Sequence, residues 1–201
     1  MNILRLIPML LLLSIFSFAK KPPLPKNLAE RDSFGVEFNI LRPFFMKGID
    51  INSLSGGVNY FNDTRGIEIA LPITYNRLLY NRGYRANDYD DTSLTLDLHF
   101  RKFFNKEANG FYLGGFGRYT YLKGKSKNLK IAKLHRFGLG TELGVRFRQR
   151  NSPLYYGISF GTGVYLDNNQ DIFEHEENYI MSMDGRKYFW DIELFKLGYQ
   201  F

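Results

Sequence analysis

Imidazole is the side chain best suited to proton transfer near neutral pH, and the chain has three: His99, His135 and His175. Cysteine is absent, which excludes thiol nucleophiles, thiolate metal sites, disulfides and a lipidated N-terminal cysteine together. The three histidines lie on different predicted elements, so none of the short His-containing metal spacings occurs. The hydroxyls nearest His99 in sequence are Thr92, Ser93 and Thr95. In an extended strand Ser93 and Thr95 share its face but stand several ångströms away per step, whereas a nucleophile and its base must be within hydrogen-bond reach. His99 is therefore expected to join a polar network with Asp97 and Arg101, and His175, in an acidic stretch, to be solvated. The acidic run Asp88-Tyr89-Asp90-Asp91-Thr92 lacks the glycine and distal glutamate of a calcium loop. Gly138-Leu139-Gly140 opens no nucleotide fold, and Gly114-Gly115-Phe116-Gly117 belongs to a predicted strand. These glycines read as interior packing or close strand approach. No catalytic centre, metal or cofactor is expected from these residues.

The elements that position such groups alternate with period two. After residue 33 no helical spacing persists, and about eight strand-like segments follow. Phe34, Val36 and Phe38 oppose Gly35 and Glu37. Ile67, Ile69, Leu71 and Ile73 oppose Glu68, Ala70 and Pro72. Leu94, Leu96, Leu98 and Phe100 oppose Thr95, Asp97, His99 and Arg101, and Phe137, Leu139, Leu143 and Val145 oppose Arg136, Gly138, Glu142 and Arg146. In the last segment Trp190, Ile192 and Leu194 have the opposite parity to Phe195, Leu197 and Tyr199. A bulge near residues 193–195 reconciles the two.

Residues 1–19 read as a cleaved signal peptide: one positive charge at Arg5, an apolar run over 6–18, and Ser17-Phe18-Ala19 as a small-x-small site. Residues 20–32, with Pro22, Pro23 and Pro25, read as an extended periplasmic tail, leaving 33–201 as the one domain that 201 residues allow. The chain carries 27 Lys and Arg against 20 Asp and Glu, a net +7. Loss of Arg5 with the leader takes this to about +6, so the basicity belongs to the exported portion. Export makes anionic lipid, rather than nucleic acid, the expected counter-charge. The mean hydropathy of −0.29 argues against a bundle of membrane-spanning helices.

Period two fits a water-soluble sheet or a lipid-facing barrel, and three features favour the barrel. Short turns at 62–66, 105–110 and 149–153 alternate with longer connections near 41–52, 76–91, 122–133 and 167–187, the order of periplasmic turns and external loops. Rings collect at both ends of segments: Tyr60, Phe61, Phe103, Phe104, Phe111, Tyr112, Phe147, Tyr155, Tyr156, Tyr199 and Phe201 at the short-turn ends, and Tyr75, Tyr119, Tyr121, Tyr165, Tyr188, Phe189 and Trp190 at the other. Two bilayer interfaces select such girdles. The polar face carries Glu37, Glu68, Asp97, His99, Arg101, Arg118, Arg136, Glu142, Arg146 and Arg148 among glycines, charges able to pair across a narrow lumen.

Ending in Phe195, Leu197, Tyr199 and Phe201, the C-terminus resembles the last-strand assembly signal of Gram-negative outer-membrane proteins. Residues 33–201 as a whole resemble the small eight-stranded barrels of the OmpA, OmpX and opacity-protein type. The resemblance implies a closed, antiparallel, up-and-down transmembrane β-barrel in the cell outer membrane. It implies insertion by the barrel-assembly machinery, contact with outer-membrane lipid and lipopolysaccharide, a monomeric state, and a surface-interaction or envelope-stabilising role rather than that of a general porin. Lys123, Lys125, Lys127, Lys130 and Lys133 stand in a connection next to an acidic one over 167–187 and are expected to contact lipopolysaccharide phosphates. The alternatives are a lipid-modifying envelope enzyme or a narrow channel. The lipid A deacylase pattern places a serine two residues from a histidine, whereas His135 is followed by Arg136 and Phe137.

Overall fold

A computed structural model describes residues 32–47, 51–80, 89–105, 108–125, 131–148, 152–167 and 187–201. The leader, the tail up to residue 31, Asp88, Lys127, Lys130, His175 and the acidic stretch over 168–186 lie outside the described residues. The strands are β1 (Asp32–Asn39), β2 (Ile51–Asn62), β3 (Ile67–Tyr80), β4 (Tyr89–Phe103), β5 (Gly110–Lys125), β6 (Ile131–Arg148), β7 (Leu154–Tyr165) and β8 (Tyr188–Gln200), with a short helix α1 (Arg42–Lys47) between β1 and β2. Each strand pairs antiparallel with its sequence neighbour, and β1 pairs with β8, closing an eight-stranded up-and-down barrel. Closure removes the unpaired sheet edges that would otherwise template aggregation. No described helix is long and apolar enough to cross a membrane, a criterion that does not bear on barrels.

Period-two alternation translates directly into an inside and an outside. Phe38, Leu98, Phe137 and Leu139 each expose more than half of their surface on the outer wall, while Glu37, Glu68, Asp97, Arg101 and Glu142 are buried within. The arrangement is the reverse of a water-soluble barrel, where the apolar face fills the core.

At the β2–β3 turn, the Arg65 amide donates to the Asn62 side chain at 2.9 Å and the Gly66 amide to the Asp63 carbonyl at 3.3 Å. Gly66 has φ of +60°, a conformation that costs glycine little. At the other end the strands run further than the sequence pattern suggests. The connections expected over 76–91 and 122–133 narrow to 81–88 and 126–130 because β3, β4, β5 and β6 continue pairing to Tyr80–Tyr89 and Lys125–Ile131. Lys123, Lys125 and Lys133 therefore belong to strands rather than to a loop.

A further difference concerns the rings, whereas the last strand carries the bulge expected near residues 193–195. Phe61, Phe103, Tyr112 and Tyr155, grouped above with a girdle, point inward and form a cluster with Ala108 at the short-turn end. Tyr165 and Phe189 also point inward and pack with Phe116 toward the other end. The strand bearing such a ring needs a missing side chain opposite: a Cβ on Gly144 would overlap the Tyr112 ring, and one on Gly198 would overlap that of Tyr155. The register of β7 against β8 shifts by one between Gly157–Lys196 and Ser159–Glu193. The extra residue lies on β8 over 194–195, midway along the strand, and it lets Asp191 and Glu193 share the interior with Lys196.

The ring clusters predict that Gly198→Val will displace Tyr155 and lower stability by about 1–3 kcal/mol, the usual cost of overpacking. Urea denaturation followed through the single tryptophan, Trp190, should show a lower midpoint, largely recovered when Tyr155→Ala is added to the same chain.

Candidate functional site

The interior is a continuous lattice of opposite charges between the two ring clusters. Arg101 on β4 is fully buried. Its Nε donates to Glu142 Oε1 on β6 at 2.5 Å, and its terminal nitrogen to Glu68 Oε1 on β3 at 2.9 Å. Arg146, two turns of the pleat along β6, donates to both oxygens of the same Glu68 at 2.6 and 2.8 Å. Planar guanidinium groups favour this two-pronged geometry. Asn59 on β2 donates to Glu37 at 3.0 Å and also to Glu68. Glu37 lies 3.8, 3.7 and 4.0 Å from Arg101, Arg146 and Lys196.

Toward the other end Arg118 on β5 clasps Asp97 on β4 with two bonds of 2.8 and 2.7 Å and reaches Asp191 on β8 at 3.2 Å. Arg42 enters from α1, donating to Asp191 at 3.1 Å, Glu193 at 2.9 Å and Ser53 on β2 at 2.7 Å. Ser53 continues into Asn76 at 2.5 Å and Asn76 into Ser93 at 3.0 Å. Buried polar groups need such partners, and here they come from strands distant in sequence.

The rings complete the lattice. Arg146 stacks its guanidinium near Phe61, Phe103 and Tyr155, with 4.6 Å to the Tyr155 centroid. Arg136 lies 3.8 Å over Tyr165 and bonds Asp167 at 3.1 Å, and Arg118 lies 4.4 Å over Phe189. Cations placed over aromatic faces in this way are stabilised by the ring quadrupole.

All ten residues expected in the lumen face inward, and His99 stands between Asp97 and Glu142 as part of the lattice. Its Nδ1 is 2.6 Å from Glu142 Oε1, its Nε2 is 3.5 Å from Asp97 Oδ2, and its ring stacks on Phe116 at 4.5 Å. A carboxylate–imidazole pair is half of a nucleophile-activating triad, but Asp97 stands on the ring's other side where the triad needs a hydroxyl. The cavity beside it, bordered by Asp97, His99, Arg118, Glu142 and Ser159, has about 30 Å³. That volume suits about two waters. Among the described residues no group of His, Asp and Glu is arranged to hold a metal ion.

Beyond those ten, the lattice includes Asn39, Asn59 and Ser93, which parity sets on the polar faces of β1, β2 and β4, and Arg42, Ser53, Asn76, Asp191, Glu193 and Lys196. Asn59 was readable from the parity of β2, and the β8 acids from the parity break at 193–195. Arg42 belongs to no strand, so periodicity could not place it. His135 faces outward, with its Nδ1 2.7 Å from the Tyr119 hydroxyl. Tyr199 and Phe201 are exposed on the outer wall, while Phe195 and Leu197 are half-buried.

Fold and interior define a closed barrel with an apolar outer wall and a charge-paired lumen. Comparison with protein-family models, curated proteins and solved structures finds no match to the chain.

Glu68 is the most heavily used carboxylate. Glu68→Gln is expected to leave Arg101 and Arg146 short of counter-charge and to cost about 3–5 kcal/mol, as loss of one partner from a buried ion pair does. Equilibrium unfolding in urea should show that loss, against a much smaller one for Arg148→Gln, whose bond to Asp63 lies at the partly exposed lumen end.

Proposed function

We propose that this chain is an integral outer-membrane β-barrel of structural or surface-interaction type, exported by a cleaved leader and inserted by the barrel-assembly machinery. The observation that carries the reading is the height of the apolar outer wall. On β6 the outward residues from Phe137 to Phe147 are apolar apart from Thr141. Ten residues span about 33 Å along a strand, and at a tilt of about 40° that becomes a band about 25 Å tall, the apolar height of membrane barrels. Lys133 ends the band at one rim and Lys102 marks the other on β4. Tyr75, Tyr119 and Tyr121 toward the first rim, and Tyr60, Phe104 and Tyr199 toward the second, match the interfacial preference of aromatic rings. The alternating outward residues Phe195, Leu197, Tyr199 and Phe201 support recognition of the last strand during assembly.

A lumen filled from ring cluster to ring cluster supports a role other than solute passage. The purified protein is expected to give no unitary conductance steps in planar bilayers, and regular steps would favour the narrow-channel alternative instead.

Leu139 is more than half exposed near the middle of the band. In a lipid-facing wall Leu139→Arg should cost about 2–4 kcal/mol, read as a lowered midpoint of urea unfolding in phosphatidylcholine vesicles. In a wall that faces water the same substitution would leave the midpoint unchanged and the wild-type chain soluble without detergent, and either result would overturn the membrane reading.

A further inference from the structure

Two features of the outer wall cost stability and serve no purpose within the fold. Lys123 on β5 and Lys133 on β6 are directly opposed in the ladder, both exposed, with no ion pair or hydrogen bond to any described residue. Like charges facing each other across a strand pair are destabilising. On the same β5 face, Gly115 and Gly117 also point outward, a departure from the interior-packing role expected of them. Neither has a positive φ. A Cβ on Gly117 would meet nothing within 4 Å, and one on Gly115 only a carbonyl at 3.7 Å. Most other described glycines are held by a close neighbour or a turn, as Gly144, Gly163 and Gly198 are. A strand glycine weakens the sheet, so two without an internal reason call for an external one.

The register places these features on one track. One row near the rim joins Arg77, Thr92, Lys123 and Lys133 across β3 to β6, and the next row inward joins Tyr75, Leu94, Tyr121 and His135. Below Tyr119 the side chains of β5 vanish at Gly117 and Gly115, which are flanked by Leu98 and Phe100 on β4 and by Leu139 and Thr141 on β6. The result is a trough one strand wide whose walls are apolar apart from Thr141. It begins about 20 Å along the strand from Lys123, a distance that an acyl chain descending from a headgroup at the rim can cover.

Resting on the membrane reading above, we infer that the outer face of β5 and β6 is a site for a phosphorylated acyl glycolipid of the leaflet at this rim. Its phosphate lies between Lys123 and Lys133, its sugar against Tyr121 and His135, and an acyl chain in the trough over Gly115 and Gly117. The anion relieves the lysine repulsion and the chain fills the space the glycines leave open.

Native mass spectrometry of the full chain, refolded in detergent and first verified as a closed barrel by heat-modifiable gel mobility, tests this with diphosphoryl lipid A as the probe. Lys123→Gln with Lys133→Gln should weaken retention at least about tenfold, given the attraction that each lysine near a phosphate contributes. Gly117→Leu, for which the fold has room, should weaken it several-fold with both lysines intact. Lys102→Gln, at the opposite rim, should leave it unchanged. Retention equal to wild type in either the lysine or the glycine variant overturns the site, as does equal retention of phosphatidylcholine or full displacement by millimolar inorganic phosphate. A chain that shows no heat-modifiable barrel fails at the first step and overturns the membrane reading on which the site rests.

Discussion

Everything in this barrel depends on neutralising buried charge without bulk water. Moving a carboxylate or guanidinium out of water costs several kcal/mol after relaxation, and the interior contains both kinds in quantity. The solution is to share each group among several partners. Glu68 accepts from Arg101, Arg146 and Asn59, and Asp191 from Arg42 and Arg118. Because the partners come from different strands, the lattice is satisfied only when every register is right. A slip of one residue would turn each charged side chain to the outer wall. The polar interior thus carries the specificity that a soluble barrel draws from a shaped apolar core.

The rings and glycines obey a second constraint, that of volume. An eight-stranded barrel has an interior just wide enough for side chains, so an aromatic ring laid across it requires an empty position on the neighbouring strand. Tyr112 over Gly144, Phe116 over Gly140 and Tyr155 over Gly198 are three instances. Together with the guanidinium groups that lie against them, these rings divide the interior into a charged middle and two aromatic ends.

Much of this architecture is legible in the chain because period two is a local signal. The strand count, the closure implied by alternating short and long connections, and the inward set from Glu37 to Arg148 all follow from parity. What parity cannot reveal is where a strand stops pairing, since alternation does not distinguish a ladder from an extended loop; hence the strand positions of Lys123, Lys125 and Lys133. Parity does set Tyr155 inward, since Tyr156 shares the face of Ile158 and Phe160, whereas grouping rings by strand end puts both at one interface. Arg42 required the third dimension, because α1 follows a strand that ends early and its first side chain turns back into the barrel. Of the two β5 faces, the sequence distinguishes Gly114 from Gly115 by parity, but only the geometry separates a glycine demanded by a neighbour from one with open space.

The short first strand has a mechanical consequence. β1 meets β8 over residues 34–40 against 195–201, whereas β5 and β6 pair along their whole lengths. Beyond Ile40, whose amide still reaches the Phe195 carbonyl at 3.2 Å, β2 and β8 have no strand between them. Among the described residues, Arg42 bridges that interval from Ser53 to Asp191 and Glu193. The cylinder is consequently a sheet with one partly laced edge. The line where N- and C-terminal strands meet is its least paired one, and the Arg42 ion pairs span the unlaced part. Under lateral tension the wall would part along this line first, with the turn-end half of the seam serving as its hinge.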